Sequence, residues 1–160
     1  MQQRVLFVCT GNICRSPTAE GVARALAEKQ GVGHLFTFDS AGTMGYHSGE
    51  PPDQRAIAVA AKRGYDLAPL RARQVTGKDF FSFDHVLAMD RGHLKVLEKL
   101  CPEGYRQSLG LFLEYAGKAD EDEVPDPYYG GPEGFDHVLS LVENAADQLI
   151  RRLSGETPRN

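Results

Sequence analysis

The sequence predicts an α/β protein, a single three-layer domain in which a four-stranded parallel sheet is flanked by helices. Short apolar runs typical of buried strands alternate along the chain with segments of helical periodicity. A strand, a helix and a second strand joined by short connections form a right-handed parallel crossover. The 160 residues are enough for one domain with its own core, which we expect at 1–153, followed by a frayed tail at 154–160.

The first predicted unit is a strand at residues 5–8 ending on Cys9, a helix from about Ser16, and a strand at 35–38. Pro17 suits the first position of a helix, so Ser16 is the expected cap. The helix carries apolar residues at i, i+3, i+4 and i+7, the pattern of a face packed on a sheet. The loop after the first strand therefore lies at the sheet edge where open α/β sheets bind ligands.

The other elements follow from caps, glycines and prolines. In chain order they are a loop at 41–52, a helix capped by Asp53, a strand at 85–89, a helix capped by Asp90, a strand within 108–112 and a last helix at 134–153. Phe80, Phe81 and Phe83 precede the third strand, and we expect them to pack in the core.

Composition and charge restrict the class of protein. Hydrophobic residues make up 41% and charged residues 25%, as in globular proteins, and the net charge of −4 argues against nucleic acid or a membrane as partner. No run of the sequence reaches the length of a membrane span, and no signal peptide is recognised, so a cytoplasmic location is expected. Three cysteines indicate neither a disulfide framework nor a zinc site, so we expect no metal and no cofactor.

The stretch CTGNICRSP, which begins at Cys9, has the clearest chemical meaning. Five residues separate Cys9 from Arg15, so the backbone can form a cradle whose N–H groups face one anion, with a helix N-terminus behind it. Gly11 and Asn12 tolerate left-handed backbone, and an arginine can bind two phosphate oxygens at once. The stretch is predicted to hold a phosphate, with substrate-binding residues Thr10, Gly11, Asn12, Ile13, Cys14 and Ser16. The alternative is a buried cysteine ending a strand and a solvated arginine at a helix start.

The residue types in this stretch and one later aspartate suggest a reaction. A helix N-terminus and an arginine stabilise a thiolate, to which the Ser16 hydroxyl can donate. Such a Cys9 thiolate can displace an alcohol or phenol from phosphorus and hold the phosphoryl group until water cleaves it. The leaving group needs a proton that an arginine cannot supply. Asp126 is the predicted acid, because two prolines restrict its backbone, and Asp90 is the competing candidate.

Aromatic residues in two loops can bind a flat substrate ring. Tyr46 lies in the loop at 41–52 and can stack on a phenyl group, although it could instead cover the loop's own apolar side. Tyr128 and Tyr129 could form another wall. His47 in the same loop could also contact a substrate ring, although a loop histidine is more often solvated. We expect the other histidines to have structural or surface roles. The arginines at 71 and 73 could guide an anionic substrate, but we expect them to be solvated.

Motifs along nearly the whole chain resemble those of the low-molecular-weight protein tyrosine phosphatases. They are VLFVCTGNICRSP from Val5, SAGT at 40–43, GEPPD at 49–53, AMD at 88–90 and DPYYGG at 126–131. The resemblance implies hydrolysis of phosphotyrosine in a protein substrate through a cysteinyl-phosphate, without a cofactor, by a monomer or weak homodimer. It places the general acid at Asp126 and makes Tyr128 and Tyr129 candidate phosphorylation sites.

The resemblance also bears on Cys14 and Ile13. Cys14 is similar to the family's second cysteine, which can form a reversible disulfide with the nucleophile, but it could also be a small apolar filler. The arginine-phosphatase branch of the family carries threonine where this chain has Ile13, so tyrosine is the expected target.

Two functions are alternatives to a tyrosine phosphatase. One is a thiol-coupled arsenate reductase, which relays oxidation through further cysteines and for which Cys101 is the only candidate beyond the loop. The other is a phosphoanion-binding module without turnover.

Overall fold

Four parallel strands form the centre of the molecule. A computed structural model describes residues 2–117, 121–128 and 130–155 of the chain. The strands are β1 (Gln3–Cys9), β2 (Phe36–Gly42), β3 (His85–Ala88) and β4 (Leu109–Leu111). They lie in the order β2-β1-β3-β4 and each neighbouring pair is parallel, so the predicted four-stranded parallel sheet is confirmed.

β1 is central and covered on both faces. Its four apolar residues at 5–8 have no exposed surface, which explains a continuous apolar run instead of an alternating one. Phe7 packs on Phe38 and Phe112 on one side of the sheet. Leu6 and Val8 belong to a second core on the opposite side. The two cores make the molecule three-layered, as the sequence predicts.

Helices cover both faces of the sheet. They are α1 (Arg15–Lys29), α2 (Gln54–Lys62), α3 (Asp79–Ser82), α4 (Arg91–Leu100), α5 (Phe112–Ala116) and α6 (Pro132–Leu153). α1, α2, α5 and α6 contribute to the core around Phe7, whereas α3 and α4 contribute Phe80 and Leu97 to the other core. Within the described ranges, none of these helices is long and apolar enough to cross a membrane.

Two local predictions are wrong and two are confirmed. Ser16 does not cap the first helix, because α1 already begins at Arg15 and has no side-chain cap. Phe81 does not join the core, since the short helix α3 turns it outward and leaves it 56% exposed. The expected caps are present: Asp53 accepts from Arg55 N, and Asp90 begins α4 in the same way.

Candidate active site

The connection between β1 and α1 curves into a cradle that one buried side chain holds in shape. Asn12 has a φ of 59°, a left-handed conformation that asparagine tolerates better than most residues. Its Nδ2 donates to Ser16 Oγ at 2.8 Å and Ser40 Oγ at 2.9 Å, and its Oδ1 accepts from Arg73 N at 3.0 Å. Asn12 therefore ties the cradle to α1, to β2 and to the segment after α2.

The end of β2 passes very close to the cradle. A Cβ on Gly42 would lie 2.6 Å from the Thr10 carbonyl oxygen, so only glycine fits there. The next residues are joined to the cradle by main-chain bonds, from Thr43 N to Cys9 O at 2.8 Å and from Met44 N to Thr10 O at 2.9 Å. The loop after β2 is thereby placed along one side of the cradle.

Cys9 lies at the floor of the cradle with a hydroxyl beside its sulfur. Its Sγ is 2.9 Å from Ser16 Oγ, and both residues are buried. Because Asn12 Nδ2 already donates to Ser16 Oγ, the hydroxyl hydrogen of Ser16 can donate to the sulfur or, at the longer distance of 3.4 Å, to the Ala41 carbonyl. The sulfur therefore lies at the N-terminus of α1 with a hydroxyl donor beside it.

Cys14 lines the same cleft, and its surroundings keep its thiol protonated. Burial, followed by the neighbouring Asp53 carboxylate, raises the pKa of the Cys14 thiol to about 12. It therefore remains a thiol at neutral pH, and it also packs with the core. Of the two cysteines in the cleft, Cys9 is the one suited to attack phosphorus.

Arg15 is buried and held at one end of its guanidinium. Its Nη1 donates to Asp90 Oδ2 at 2.8 Å and to the Val124 carbonyl at 3.0 Å. Burial opposes ionisation of Asp90. The hydrogen bond from the His93 main-chain N–H and the interactions with the His93 and Arg15 side chains outweigh it, and they hold the pKa of Asp90 below its ordinary value. Asp90 is therefore ionised and committed to the arginine, which makes it unsuitable as a proton donor.

Asp126 stands at the mouth of the cleft. The backbone before it is anchored just beyond the end of β3, since Val124 N donates to Met89 O at 2.8 Å. Asp126 Oδ1 accepts from Tyr128 N at 3.0 Å, its Oδ2 lies 3.9 Å from Arg15 Nη2, and its side chain is 47% exposed. The carboxyl group can therefore reach both the arginine side of the cleft and incoming substrate.

These residues enclose a cleft of about 220 Å³. Its lining comprises Cys9, Thr10, Gly11, Ile13, Cys14, Arg15, Met44, Tyr46, His47, Asp126 and Tyr128. Tyr46 and Tyr128 are 79% and 40% exposed and form an aromatic rim. The side chains of Asn12 and Ser16 lie behind the cradle and support it. Tyr129 lies outside the described residues.

Sequence reasoning missed three contributors to the site and gave a fourth, His47, little weight. Met44 and His47 line the cleft, and the His47 ring lies against Gly11. His93 is buried behind Thr10, at 2.7 Å from its hydroxyl. Arg73 is not simply solvated: its Nη2 binds Asp39 and Asp79 at 3.0 Å each. The sequence offered one signal, and it concerned His93. This histidine lies three positions after the helix cap Asp90, so it belongs to the first helical turn beside the site.

The part of the chain that the structure describes contains no group of three or more His, Cys, Asp or Glu side chains arranged to hold a metal ion. The functional side chains in the cleft are the sulfur of Cys9, the guanidinium of Arg15 and the carboxyl group of Asp126. These groups suit nucleophilic displacement at a bound oxyanion.

Comparisons with known proteins agree with this geometry. The family model described as low molecular weight phosphotyrosine protein phosphatase matches residues 4–159. The low molecular weight protein-tyrosine-phosphatase of Streptomyces coelicolor is 48% identical over 153 residues, covering 94% of this chain and 93% of that protein. The low molecular weight phosphotyrosine protein phosphatase of Schizosaccharomyces pombe is 45% identical over 142 residues, covering 88% and 90%.

A solved structure is similar over nearly the full length. The protein tyrosine phosphatase of Entamoeba histolytica superimposes with a TM-score of 0.91 at 39% identity, covering 96% of this chain and 98% of that one. The chain therefore belongs to the family of low-molecular-weight phosphotyrosine protein phosphatases.

Proposed function

We propose that this protein hydrolyses phosphotyrosine in protein substrates through a cysteinyl-phosphate intermediate. Cys9 is the nucleophile, Arg15 binds the phosphate and Asp126 is the general acid. The observation that carries the proposal is the position of the Cys9 sulfur, 2.9 Å from the Ser16 hydroxyl, in a cleft that Arg15 and Asp126 also line. Membership of the family supports the same reaction.

In the first step the phosphate lies in the cradle with phosphorus above the sulfur. The Cys9 thiolate forms an S–P bond as the bond from phosphorus to the phenolic oxygen breaks. The electron pair leaves with that oxygen, which takes a proton from Asp126. Arg15 and the cradle N–H groups stabilise the charge on the other phosphate oxygens.

In the second step water cleaves the intermediate. The Asp126 carboxylate, now deprotonated, accepts a proton from water as its oxygen attacks phosphorus. The S–P bond breaks, inorganic phosphate leaves and the Cys9 thiolate is restored with Ser16 beside it. No metal or redox step is needed for this cycle.

The cleft walls favour an aryl phosphate over smaller substrates. Tyr46 and Tyr128 stand at the rim, where they can pack on a phenyl ring. Ile13 lines the cleft with an apolar side chain that offers packing but no hydrogen bond. Phosphotyrosine presents such a ring directly above the phosphate, whereas phosphoserine does not.

The substitution Cys9→Ser tests the proposal. It should reduce hydrolysis of para-nitrophenyl phosphate, assayed with a metal chelator, to below about 1% of wild type. Vanadate binding should persist because Arg15 and the cradle remain. Retention of more than a few per cent of wild-type turnover by a homogeneous Cys9→Ser preparation would contradict the assignment of the nucleophile.

The matched control is Cys101→Ser, which removes a half-buried cysteine at the end of α4. It should leave turnover unchanged, since Cys101 is not part of the cleft. The same variant tests the arsenate-reductase alternative, because a relay of thiols would need a cysteine beyond the cradle.

A further inference from the structure

A buried histidine lies behind the cleft, and the proposed reaction does not use it. His93 is 4% exposed and lies in the first turn of α4. Its Nε2 is 2.7 Å from Thr10 Oγ1 and 3.3 Å from Arg15 Nη2, and Arg15 Nη2 is 3.4 Å from Thr10 Oγ1. An imidazole, a hydroxyl and the phosphate-binding guanidinium thus contact one another in a closed group of three.

The arginine determines where the protons of this group lie. A guanidinium can only donate, so a hydrogen on His93 Nε2 would point at another N–H. Nε2 is therefore the nitrogen with the lone pair, and it accepts from the Thr10 hydroxyl or from Arg15. The ring proton lies on Nδ1, which is buried 3.1 Å from Asp90 Oδ1 but makes no hydrogen bond with the described residues.

The surroundings favour the same neutral form. Burial and then the Arg15 charge lower the pKa of His93 to about 4, while the carboxylates of Asp90, Asp126 and Glu123 act in the opposite direction. At neutral pH the imidazole is uncharged and its Nε2 remains an acceptor.

The contacts of Arg15 show what this acceptor adds. Asp90 and the Val124 carbonyl hold Nη1, and His93 faces Nη2. Thr10 Oγ1 also lies 3.4 Å from Nη2. With both Nη1 hydrogens bonded and one Nη2 hydrogen directed at His93 Nε2 and Thr10 Oγ1, the second Nη2 hydrogen and the Nε–H remain for a bound anion. A guanidinium anchored only at Nη1 could turn about that end, so the contact at Nη2 decides where the remaining donors point.

Resting on the function proposed above, we propose that His93 is a positioning residue for Arg15. Its Nε2, together with the Thr10 hydroxyl, orients the Nη2 end of the guanidinium so that two N–H bonds face two oxygens of the phosphate. The residue acts through Arg15 and does not touch the reacting atoms.

Alkylation of Cys9 measures the action of Arg15 without phosphatase turnover. In this reaction the thiolate attacks the methylene carbon of the reagent, an S–C bond forms and iodide leaves. Iodoacetate carries a carboxylate that a correctly oriented arginine binds, whereas iodoacetamide is uncharged and of similar size. The ratio of the two alkylation rates therefore reports how well Arg15 binds an anion in the cleft.

We compare His93→Leu, which removes the acceptor, with His93→Gln, which keeps an acceptor at similar reach. His93→Leu should lower the ratio of iodoacetate to iodoacetamide rates about tenfold. His93→Gln should stay within about threefold of wild type. The specificity constant for phosphotyrosine should follow the same order, and thermal unfolding of each variant verifies that it is folded.

Thr10→Val and a control histidine complete the design. Thr10→Val should lower the ratio severalfold. Combining it with His93→Leu should lower the ratio little further than His93→Leu alone, because both substitutions disrupt the same group of contacts around Arg15. The control is His85→Leu, which removes a half-buried histidine bonded to Tyr115 and Gln3 at the start of β3. It should reduce stability and leave the ratio unchanged.

An unchanged ratio in a folded His93→Leu variant would overturn the inference. So would an equal fall in His93→Gln, because a purely structural role would not distinguish an acceptor from an apolar side chain. If His93→Leu does not fold, a wild-type ratio in Thr10→Val is the decisive negative result. A wild-type protein that shows the iodoacetate preference but no phosphatase activity would refute the proposed function and leave the positioning role intact.

Discussion

Two carboxylates lie close to Arg15, and their surroundings give them different tasks. Asp90 is bonded to the guanidinium at 2.8 Å and to the first turn of α4, which keeps it ionised. Asp126 is 3.9 Å from the same arginine and half exposed at the cleft mouth. The first is a fixed anchor for the arginine, and the second is open to substrate and water, as the proposed role of general acid requires.

This difference predicts the effect of Asp126→Asn. An amide cannot supply a carboxyl proton, so phenyl phosphate, which has a poor leaving group, should be hydrolysed about 10²–10⁴-fold more slowly. Hydrolysis of para-nitrophenyl phosphate should slow much less, since nitrophenolate is a good leaving group that needs little protonation. The check is kcat across a series of aryl phosphates of increasing leaving-group pKa.

Asp122→Asn is the control for that series, because Asp122 lies on the same segment, is half exposed and pairs with Arg91 outside the cleft. It should leave all substrates unaffected. If Asp126→Asn slowed good and poor leaving groups by the same factor, Asp126 would be a structural residue and not the acid.

A second prediction concerns Ile13, which lines the cleft and also packs against the core. Ile13→Thr should lower the specificity constant for phosphotyrosine relative to phosphoarginine roughly fivefold, a change of about 1 kcal/mol. It replaces a methyl contact with a hydroxyl that can bond a guanidinium.

Ile57→Thr makes the same chemical change in a partly buried position on α2 and should leave the ratio of specificity constants unchanged. An equal ratio in Ile13→Thr and wild type would refute a role for Ile13 in selectivity. A wild-type preference for phosphoarginine would refute the proposed preference for tyrosine.

Residue positions were predictable from the sequence where strand ends determine them. Cys9 ends a buried strand and Asp126 follows the last strand, so parallel strands bring both to one sheet edge. The place of Met44 in the cleft was not predictable, because it depends on main-chain bonds between the loop and the cradle. Ser16 was assigned as a cap because its type and place suit one, yet its hydroxyl is used by Cys9 and Asn12.

At the scale of elements, the first turn of α4 combines a helix cap with support for the site. Asp90 accepts from the main chain of His93, and the His93 ring turns inward toward Thr10. The sequence predicted this helix and its cap. It could not predict the burial of His93, because a histidine on an inward helical face has no periodic signal that separates it from a surface residue.

The burial of His93 predicts how stability depends on pH. Its pKa is about 4 in the fold against an ordinary 6.5, so the unfolded chain binds more protons between these values. Stability should therefore be complete above about pH 6.5 and fall as the pH drops toward 4. This histidine alone should cost roughly 2 kcal/mol of unfolding free energy between pH 7 and pH 5.

Denaturant unfolding of His93→Gln measures that contribution, because glutamine does not titrate and the decline over this range should become shallower. His137→Gln is the control, since the His137 side chain is half exposed. The same pH dependence in His93→Gln and wild type would show that His93 is not held neutral by the fold.

Short elements were the least predictable part of the fold. The helices α3 and α5 contain four and five residues, too few to show a helical period in the sequence. α3 nevertheless determines that Phe80 is buried and Phe81 exposed. The longer α1 and α6, with 15 and 22 residues, carry enough periodic apolar positions to be recognised.

At the scale of the whole molecule, the order of the strands assembles the cleft. β1 lies between β2 and β3, so the segments that leave these three strands meet around one phosphate-sized cradle. The loop after β2 brings Tyr46, the segment after β3 brings Asp90, and the segment at 124–126 returns along the same edge with Asp126. Each group lies at the carboxyl edge because every strand is parallel to β1.

The central claim is that the phosphoryl group passes through the sulfur of Cys9. The direct test is to quench the enzyme during turnover of a phosphotyrosine peptide and to locate phosphate in the chain by mass spectrometry. We predict a phosphoryl group on Cys9 that forms before the steady state and is absent from Cys9→Ser. Full turnover with no phosphorylated Cys9 at any time, or with phosphate on another residue that forms and decays at the catalytic rate, would contradict the account.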